Sequence, residues 1–254
     1  MFHTDVFGPF RVTTRGGKKY ALLLVDDFSR LLFLYLLGGT TEVFEYFRLF
    51  LFHLEAEFGR ERVVAKLLSD GASYYNSHQF AALCNQKGIL HVFSPPYTPE
   101  RNGVAERNGG SIIEDTRTML IQASAPSYLY GEAMAYAVCI KNRTPTRFND
   151  GSHCSRLEKW HGRKMSDAHR SLRTFGCAAW PLRPEWANTT SDHDKLIAKA
   201  RMHIMLGIDI QKQCYRLAAT NIQARVQCSR CLPRRRISPR WPSRAPVGHL
   251  YGAQ

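Results

Sequence analysis

Three prolines in five residues, Pro95, Pro96 and Pro99, constrain this chain more than any other feature. Each fixes φ and removes a backbone donor, so the stretch Ser94 to Asn102 is expected to be loop rather than helix or central strand. Asn102-Gly103 reads as a turn dipeptide, and Val104 then opens a helical pattern. Glu106 is therefore expected in the first turn of a helix, where the helix dipole favours a carboxylate. Behind a loop with few backbone choices, that carboxylate is held in one place while the loop meets a substrate. Alone it is an ordinary first-turn glutamate. Two other acids change its standing. Asp70 ends the apolar run Val63 to Leu68, with 35 residues between it and Glu106, and Asp5 lies in Phe2-His3-Thr4-Asp5-Val6.

The chain of 254 residues is long enough for one or two domains, and its 44% hydrophobic content is that of a globular protein. The formal charge is +14, of which seven arginines, unaccompanied by lysine or acid, lie between residue 225 and the end. The body stays basic, which suits a polyanionic partner. The seven cysteines are scattered and odd in number, and Asp5 and Arg11 interrupt any apolar leader. Reduced thiols and a location in nucleus or cytoplasm, without secretion, are expected. The longest apolar runs, Ala21 to Val25 and Leu31 to Leu37, are too short to span a bilayer, so no membrane partner is expected.

Along the chain, Met1 to Val6 alternates, with Phe2, Thr4 and Val6 on one face and His3 and Asp5 on the other, the pattern of a strand. Arg15 to Lys18 reads as a hairpin turn. Tyr20 to Val25 and Leu31 to Leu37 read as strands joined at Asp26 to Arg30. Asp26 and Asp27 rival Asp5 as metal ligands, but adjacent strand residues face opposite ways, so the turn reading is preferred. Thr40 to Phe58 carries a helical stripe of Val43, Phe47, Leu51, Leu54 and Phe58, widened by Phe44 and Phe50 and expected to be core. Arg62 to Leu68 is the next expected strand, Asn76 to Lys87 a short helix, and Ile89 to Phe93 a strand. The helix from Val104 to Gln122 contains Gly109 and Gly110, each costing about 1 kcal/mol relative to alanine in a helix interior. Another helix is expected from Pro126 to Asn142, and Thr146 to Asp167 reads as a connector. Short apolar runs follow at Thr174 to Trp180, Arg201 to Ile208 and Tyr215 to Leu217.

Several blocks together resemble the integrase core of copia-type retrotransposons. They are His3-Thr4-Asp5, Val25-Asp26-Asp27-Phe28-Ser29-Arg30, Ser69-Asp70, and Pro96-Tyr97-Thr98-Pro99 followed by Asn102-Gly103-Val104-Ala105-Glu106-Arg107. The resemblance continues through Leu172 to Cys177 and fades after about Ala219. It implies an α/β fold, a ribonuclease-H-like core with a mixed five-stranded sheet over 1–165. A small β-rich domain over 166–222, SH3-like on the same resemblance, would follow, then a basic tail over 223–254. It implies Asp5, Asp70 and Glu106 as catalytic residues holding two divalent ions, Mg²⁺ or Mn²⁺; carboxylates are the donors such hard ions want. It implies DNA, both element ends and target, as partner, homo-oligomeric assembly, and a two-stage reaction: hydrolysis near an element end, then attack of the freed 3′-hydroxyl on target DNA. Tyr97, Thr98, Arg101, Asn102 and Arg107, which flank Glu106, are the candidate DNA contacts. His3 and His91 are read as structural.

The chain departs from the family pattern in three places. Fewer residues than usual precede His3, so a shortened first strand is expected, and the zinc-binding domain that normally comes before the core is not in this sequence. The residues after Asp70 are usually Asn-Gly-x-Glu; here Gly71 stands at the asparagine position and Tyr74 at the glutamate position. The tail reads either as a frameshifted end or as a basic nucleic-acid-binding arm, and Cys228 and Cys231 offer only half a zinc-site spacing, so no zinc is expected. Two rival functions stay open: a ribonuclease-H-type nuclease on the same fold, and a catalytically inactive DNA-binding relic of a transposon.

Overall fold

The apolar runs between residues 2 and 37 form an antiparallel meander: β1 (Phe2–Phe7), β2 (Tyr20–Asp26) and β3 (Leu32–Leu37). The computed structural model describes residues 1–94, 99–165, 170–181, 200, 202–210, 212 and 214–219. Every residue of β1 pairs with β2, from Phe2 opposite Asp26 to Phe7 opposite Ala21, so the first strand is fully laddered on that side. β4 (Lys66–Ser69) lies parallel to β1, and β5 (Leu90–Phe93) parallel to β4. The result is a mixed five-stranded sheet in the order β3-β2-β1-β4-β5, the ribonuclease-H-like arrangement.

Alternation along the strands sends side chains to two cores. On one face Phe2, Leu22, Leu24, Phe33 and Tyr35 pack against α1 (Val43–Phe58) and α2 (His78–Lys87). On the other, Ala21, Leu23, Val25, Leu32 and Leu34 meet α3 (Pro99–Gln122) and α4 (Tyr130–Arg143). The aromatic stripe of α1 is core, as its spacing indicates: Phe47, Phe50 and Leu54 are buried, and Phe50 meets the rings of Phe2 and Phe33 edge to face. Each such ring contributes roughly 1.5–3 kcal/mol through burial alone. Helices α1 and α2 both stop on a left-handed glycine, Gly59 and Gly88.

Several expected boundaries move. The strand expected from Arg62 begins only at Lys66, because Arg62 sits at φ 59°, a conformation no strand contains. Residues 40–42 are a 3-10 turn leading into α1, and Ser127–Leu129 does the same for α4. The helix expected at Asn76 starts at His78, because the Ser77 side chain caps the Phe80 amide.

The expected connector after residue 145 has structure of its own. β6 (Pro145–Arg147) and β7 (His153–Ser155) form a hairpin, and α5 (Arg156–His161) opens on a capping box between Ser155 and Glu158. Trp160 of α5 returns to the first core, its ring against Phe2, Phe33 and Phe58.

The second expected β region contains β8 (Ala178–Ala179), β9 (His203–Asp209) and β10 (Cys214–Ala219) as a three-stranded antiparallel sheet among the described residues. Ile204, Leu206 and Phe175 cluster with Leu129, Ala133 and Tyr136 around α4. Arg216 pairs with Glu132 at 2.7 Å, and Tyr136 Oη takes the Arg173 amide proton at 2.9 Å while donating to the Arg173 carbonyl. An SH3-like barrel is not seen among the described residues. The tail, with Cys228 and Cys231, lies outside them. No helix among the described residues is long and apolar enough to cross a membrane.

Candidate active site

Asp5 stands on β1 facing α3, on the side of the strand opposite Phe2, Thr4 and Val6. Its Oδ1 accepts the Val6 amide at 2.8 Å. Burial, the largest influence, pushes its carboxyl up to about 6; the Val6 amide opposes that, and the negative charges of Asp70 and Glu106 add to it. Asp5, far from both in sequence, thus lies within the electric field of Asp70 and of Glu106. Among the described residues no three His, Cys, Asp or Glu side chains close into a finished metal cage.

Asp70 follows β4 immediately, and β4 runs parallel to β1 with His3 opposite Leu68, so Asp70 leaves its strand beside the part of β1 that carries Asp5. Its Oδ1 accepts the Ala72 amide at 3.3 Å. The turn beyond is closed by Tyr75 N to Ala72 O (3.0 Å) and Asn76 N to Ser73 O (3.1 Å). Tyr74, which stands where the resembled pattern usually has a glutamate, is half-buried. Its phenol is held well above its ordinary range by burial first and then by the charges of Asp70 and Asp5. Position 71 faces open space.

Glu106 is exposed and lies not in the first turn of its helix but at the eighth residue, because α3 begins at Pro99. A proline at the first helical position loses no hydrogen bond and brings its φ already set, so Pro99 starts the helix that it was expected to exclude. Asn102-Gly103 accordingly lies within α3 and makes no turn there. Pro95 to Thr98 lie outside the described residues, and with them Tyr97 and Thr98; for Arg101 and Asn102 only the helical backbone is described. Arg107 is exposed and folds back, its Nε donating to the Gly103 carbonyl at 2.8 Å.

Asp26 and Asp27 serve the β2–β3 turn. Asp26 Oδ2 accepts from both the amide and the hydroxyl of Ser29 at 2.8 Å. Asp27 Oδ1 lies 3.1 Å from both His3 Nε2 and an Arg30 nitrogen. His91 Nε2 and Ser69 Oγ are 2.9 Å apart. Both histidines thus have structural partners, and burial lowers the pKa of each. Arg156 of α5 ties the site's frame together by donating to the Arg30 carbonyl and to Asn108 of α3, both at 3.0 Å.

Sequence reasoning passed over Thr4, Tyr75 and Phe7. Thr4 Oγ1 and Tyr75 Oη share a hydrogen bond of 2.8 Å beneath the site. Phe7 lies where α3 crosses β1, over Gly109. The available signals were a hydroxyl on the core face of β1 and the adjacent aromatic pair Tyr74-Tyr75 in the turn after Asp70. A cleft of about 1180 Å³, lined by Thr14, Lys18, Tyr46, Phe52, Tyr128 and Arg216, includes none of the three acids.

Known proteins resemble this chain in sequence and in fold. Residues 1–99 match the family model described as Integrase core domain. Over 217 residues, 85% of this chain, the sequence is 35% identical to the retrovirus-related Pol polyprotein from transposon TNT 1-94 of Nicotiana tabacum. Over 207 residues, 80% of the chain, it is 35% identical to the corresponding polyprotein from transposon RE1 of Arabidopsis thaliana. The chain spans only 16% and 13% of the length of those relatives. The fold is shared with a chain in the structure of a simian T-cell lymphotropic virus intasome in complex with PP2A regulatory subunit B56 gamma. That match has a TM-score of 0.50 at 16% identity, over 90% of this chain and 79% of that one. The sequence matches, carried on this fold, make the chain a member of the integrase-core family, of the kind found in the Pol polyproteins of copia-type retrotransposons.

Proposed function

We propose that this chain is the catalytic core of a metal-dependent polynucleotidyl transferase. It hydrolyses a phosphodiester near the 3′ end of element DNA and joins the freed 3′-hydroxyl to target DNA. One observation carries the reading: the Asp5 carboxyl, on a strand, lies within the field of both Asp70, just past a neighbouring parallel strand, and Glu106, on a helix.

A carboxylate that feels the charges of two others, as Asp5 feels those of Asp70 and Glu106, lies in a place that favours cations. The donors are all oxygen, the set that hard divalent ions take, so the residues fit Mg²⁺ or Mn²⁺. Asp5, Asp70 and Glu106 would hold two such ions, which when bound supply charge neutralisation and activation of a nucleophilic oxygen. The chain's own part is to position. β1 is laddered along its full length to β2, so Asp5 is carried on rigid backbone. The Ala72 amide orients Asp70. Asn108, held by Arg156, steadies α3 close to Glu106.

A basic body suits DNA phosphates. Arg107 is the phosphate contact on the described surface, and Tyr97, Thr98, Arg101 and Asn102 supply further contacts to the DNA end. Assembly as a homo-oligomer brings two DNA ends together.

The test is strand transfer by purified protein on a labelled DNA end with Mg²⁺ or Mn²⁺, and with EDTA. The expected result is product that needs metal and disappears in Asp70→Asn and Glu106→Gln. Product that persists in EDTA or in both variants would overturn the assignment. Salt-sensitive DNA binding by wild-type protein without any chemistry would point to an inactive DNA-binding relic instead.

A further inference from the structure

We infer that Tyr75 and Thr4 are positioning residues: the bond between their hydroxyls clamps the turn that carries Asp70 to the strand that carries Asp5. The inference rests on the three-carboxylate reading above and names what sets the spacing of two of those acids.

The backbone ladder between the two strands stops short of both acids. The parallel ladder between β1 and β4 pairs Phe2 with Leu67 and His3 with Leu68, and it ends there. Asp5 lies two residues beyond the last rung, and Asp70 lies just past the end of β4. Beyond that rung, contacts other than β1–β4 pairing join the end of β4 to the part of β1 that carries Asp5. A chain of short contacts crosses the gap. Asp70 Oδ1 accepts from Ala72 N (3.3 Å), Ala72 O accepts from Tyr75 N (3.0 Å), and Tyr75 Oη meets Thr4 Oγ1 (2.8 Å), one residue from Asp5.

Tyr75 and Thr4 are each 1% exposed. A buried hydroxyl without a partner is costly, so this bond resists opening. The Tyr75 ring cannot swing, because Phe80 meets it edge-on at 5.4 Å, Tyr74 lies at 4.8 Å and His91 at 6.2 Å between centroids. Successive strand residues face opposite sides, so Thr4 is gripped from the core while Asp5 faces the site. A phenylalanine would fill the same space without making the link. The hydroxyl adds only the tether, and a tether at this position controls how far Asp5 stands from Asp70.

The experiment is Mn²⁺ binding to the full chain, followed by electron paramagnetic resonance, for wild type, Tyr75→Phe, Thr4→Val and Thr4→Ser. We expect Tyr75→Phe and Thr4→Val each to weaken Mn²⁺ binding about tenfold, the lower end for groups that orient metal ligands. Thr4→Ser, which keeps a hydroxyl, is expected to bind like wild type. Thermal midpoints in metal-free buffer should stay within a few degrees in all three. Unchanged Mn²⁺ affinity in both Tyr75→Phe and Thr4→Val would overturn the inference and leave the three-carboxylate reading standing. A wild-type chain that binds no Mn²⁺ would overturn both. Should Tyr75→Phe not fold, Thr4→Val decides, because it removes the same bond from the strand side.

Discussion

Gly109 of α3 lies directly under the ring of Phe7 of β1. A Cβ at residue 109 would stand 1.8 Å from Phe7 Cζ and 2.3 Å from Cε1, closer than non-bonded carbon atoms approach. This contact sets how near the helix that carries Glu106 comes to the strand that carries Asp5. The neighbouring Gly110 faces open space. On helix propensity the two glycines look equivalent; in the fold only one is required.

Gly109→Ala should therefore destabilise the protein by about 1–3 kcal/mol, since the overpacking outweighs the gain in helix propensity. It should also lower transferase activity by displacing α3. Gly110→Ala should stabilise by up to about 1 kcal/mol. Urea unfolding of the two variants beside wild type checks the contrast. Equal shifts in the same direction would show that Phe7 and Gly109 are not in contact.

Asp5 makes stability depend on pH. Its carboxyl is raised from the ordinary value of 3.8 to about 6, chiefly by burial and then by Asp70 and Glu106. Between those values the folded chain holds more protons at this residue than the unfolded chain, so stability falls as pH rises from about 4 to about 6 and then levels off. The contribution is at most about 3 kcal/mol. Unfolding midpoints in EDTA should be lower at pH 7 than at pH 4.5 by more in wild type than in Asp5→Asn. Mn²⁺ at pH 7 should recover part of the loss in wild type only.

Glu106 is exposed on its helix, so its removal should cost no packing. Glu106→Gln is expected to abolish metal-dependent strand transfer, a fall of at least about 100-fold, while the thermal midpoint in metal-free buffer moves by no more than a degree or two. A parallel circular dichroism melt and transfer assay measures both. Wild-type activity in this variant would remove Glu106 from the site.

Asn142 of α4 closes the outer edge of the sheet. Its Oδ1 accepts from Leu32 N at 3.0 Å and its Nδ2 donates to Leu32 O at 2.8 Å, so one side chain satisfies both backbone groups of an edge-strand residue. Asn142→Ala should cost about 2–3 kcal/mol, because it leaves a buried donor and a buried acceptor unpaired. Amide exchange at Leu32 should rise in the variant. Unchanged exchange there would mean that the edge is protected in another way.

Much of this was legible in one dimension, because it depends on period and punctuation. The alternation in Phe2 to Val6 identifies β1 and puts Asp5 on the side away from Phe2. The 3.6-residue stripe of Val43, Phe47, Leu51 and Leu54 marks a buried helix, and Asp26 to Arg30 reads as a turn from the strands on either side. The thirty-five residues between Asp70 and Glu106, together with the motif around them, point to the family and so to the fold. Other features belong to no local pattern. Whether Pro99 ends a loop or starts a helix depends on what the following residues pack against. Gly109 cannot be told from Gly110 until Phe7 arrives from a strand about a hundred residues away. The Thr4–Tyr75 bond, Asn142 on the edge of β3 and Arg156 between Arg30 and Asn108 each join segments with no shared periodicity. Sequence pattern governs which face a residue shows, since that follows from backbone geometry alone. Which face it meets, and at what distance, is decided by the packing of the whole sheet and its helices.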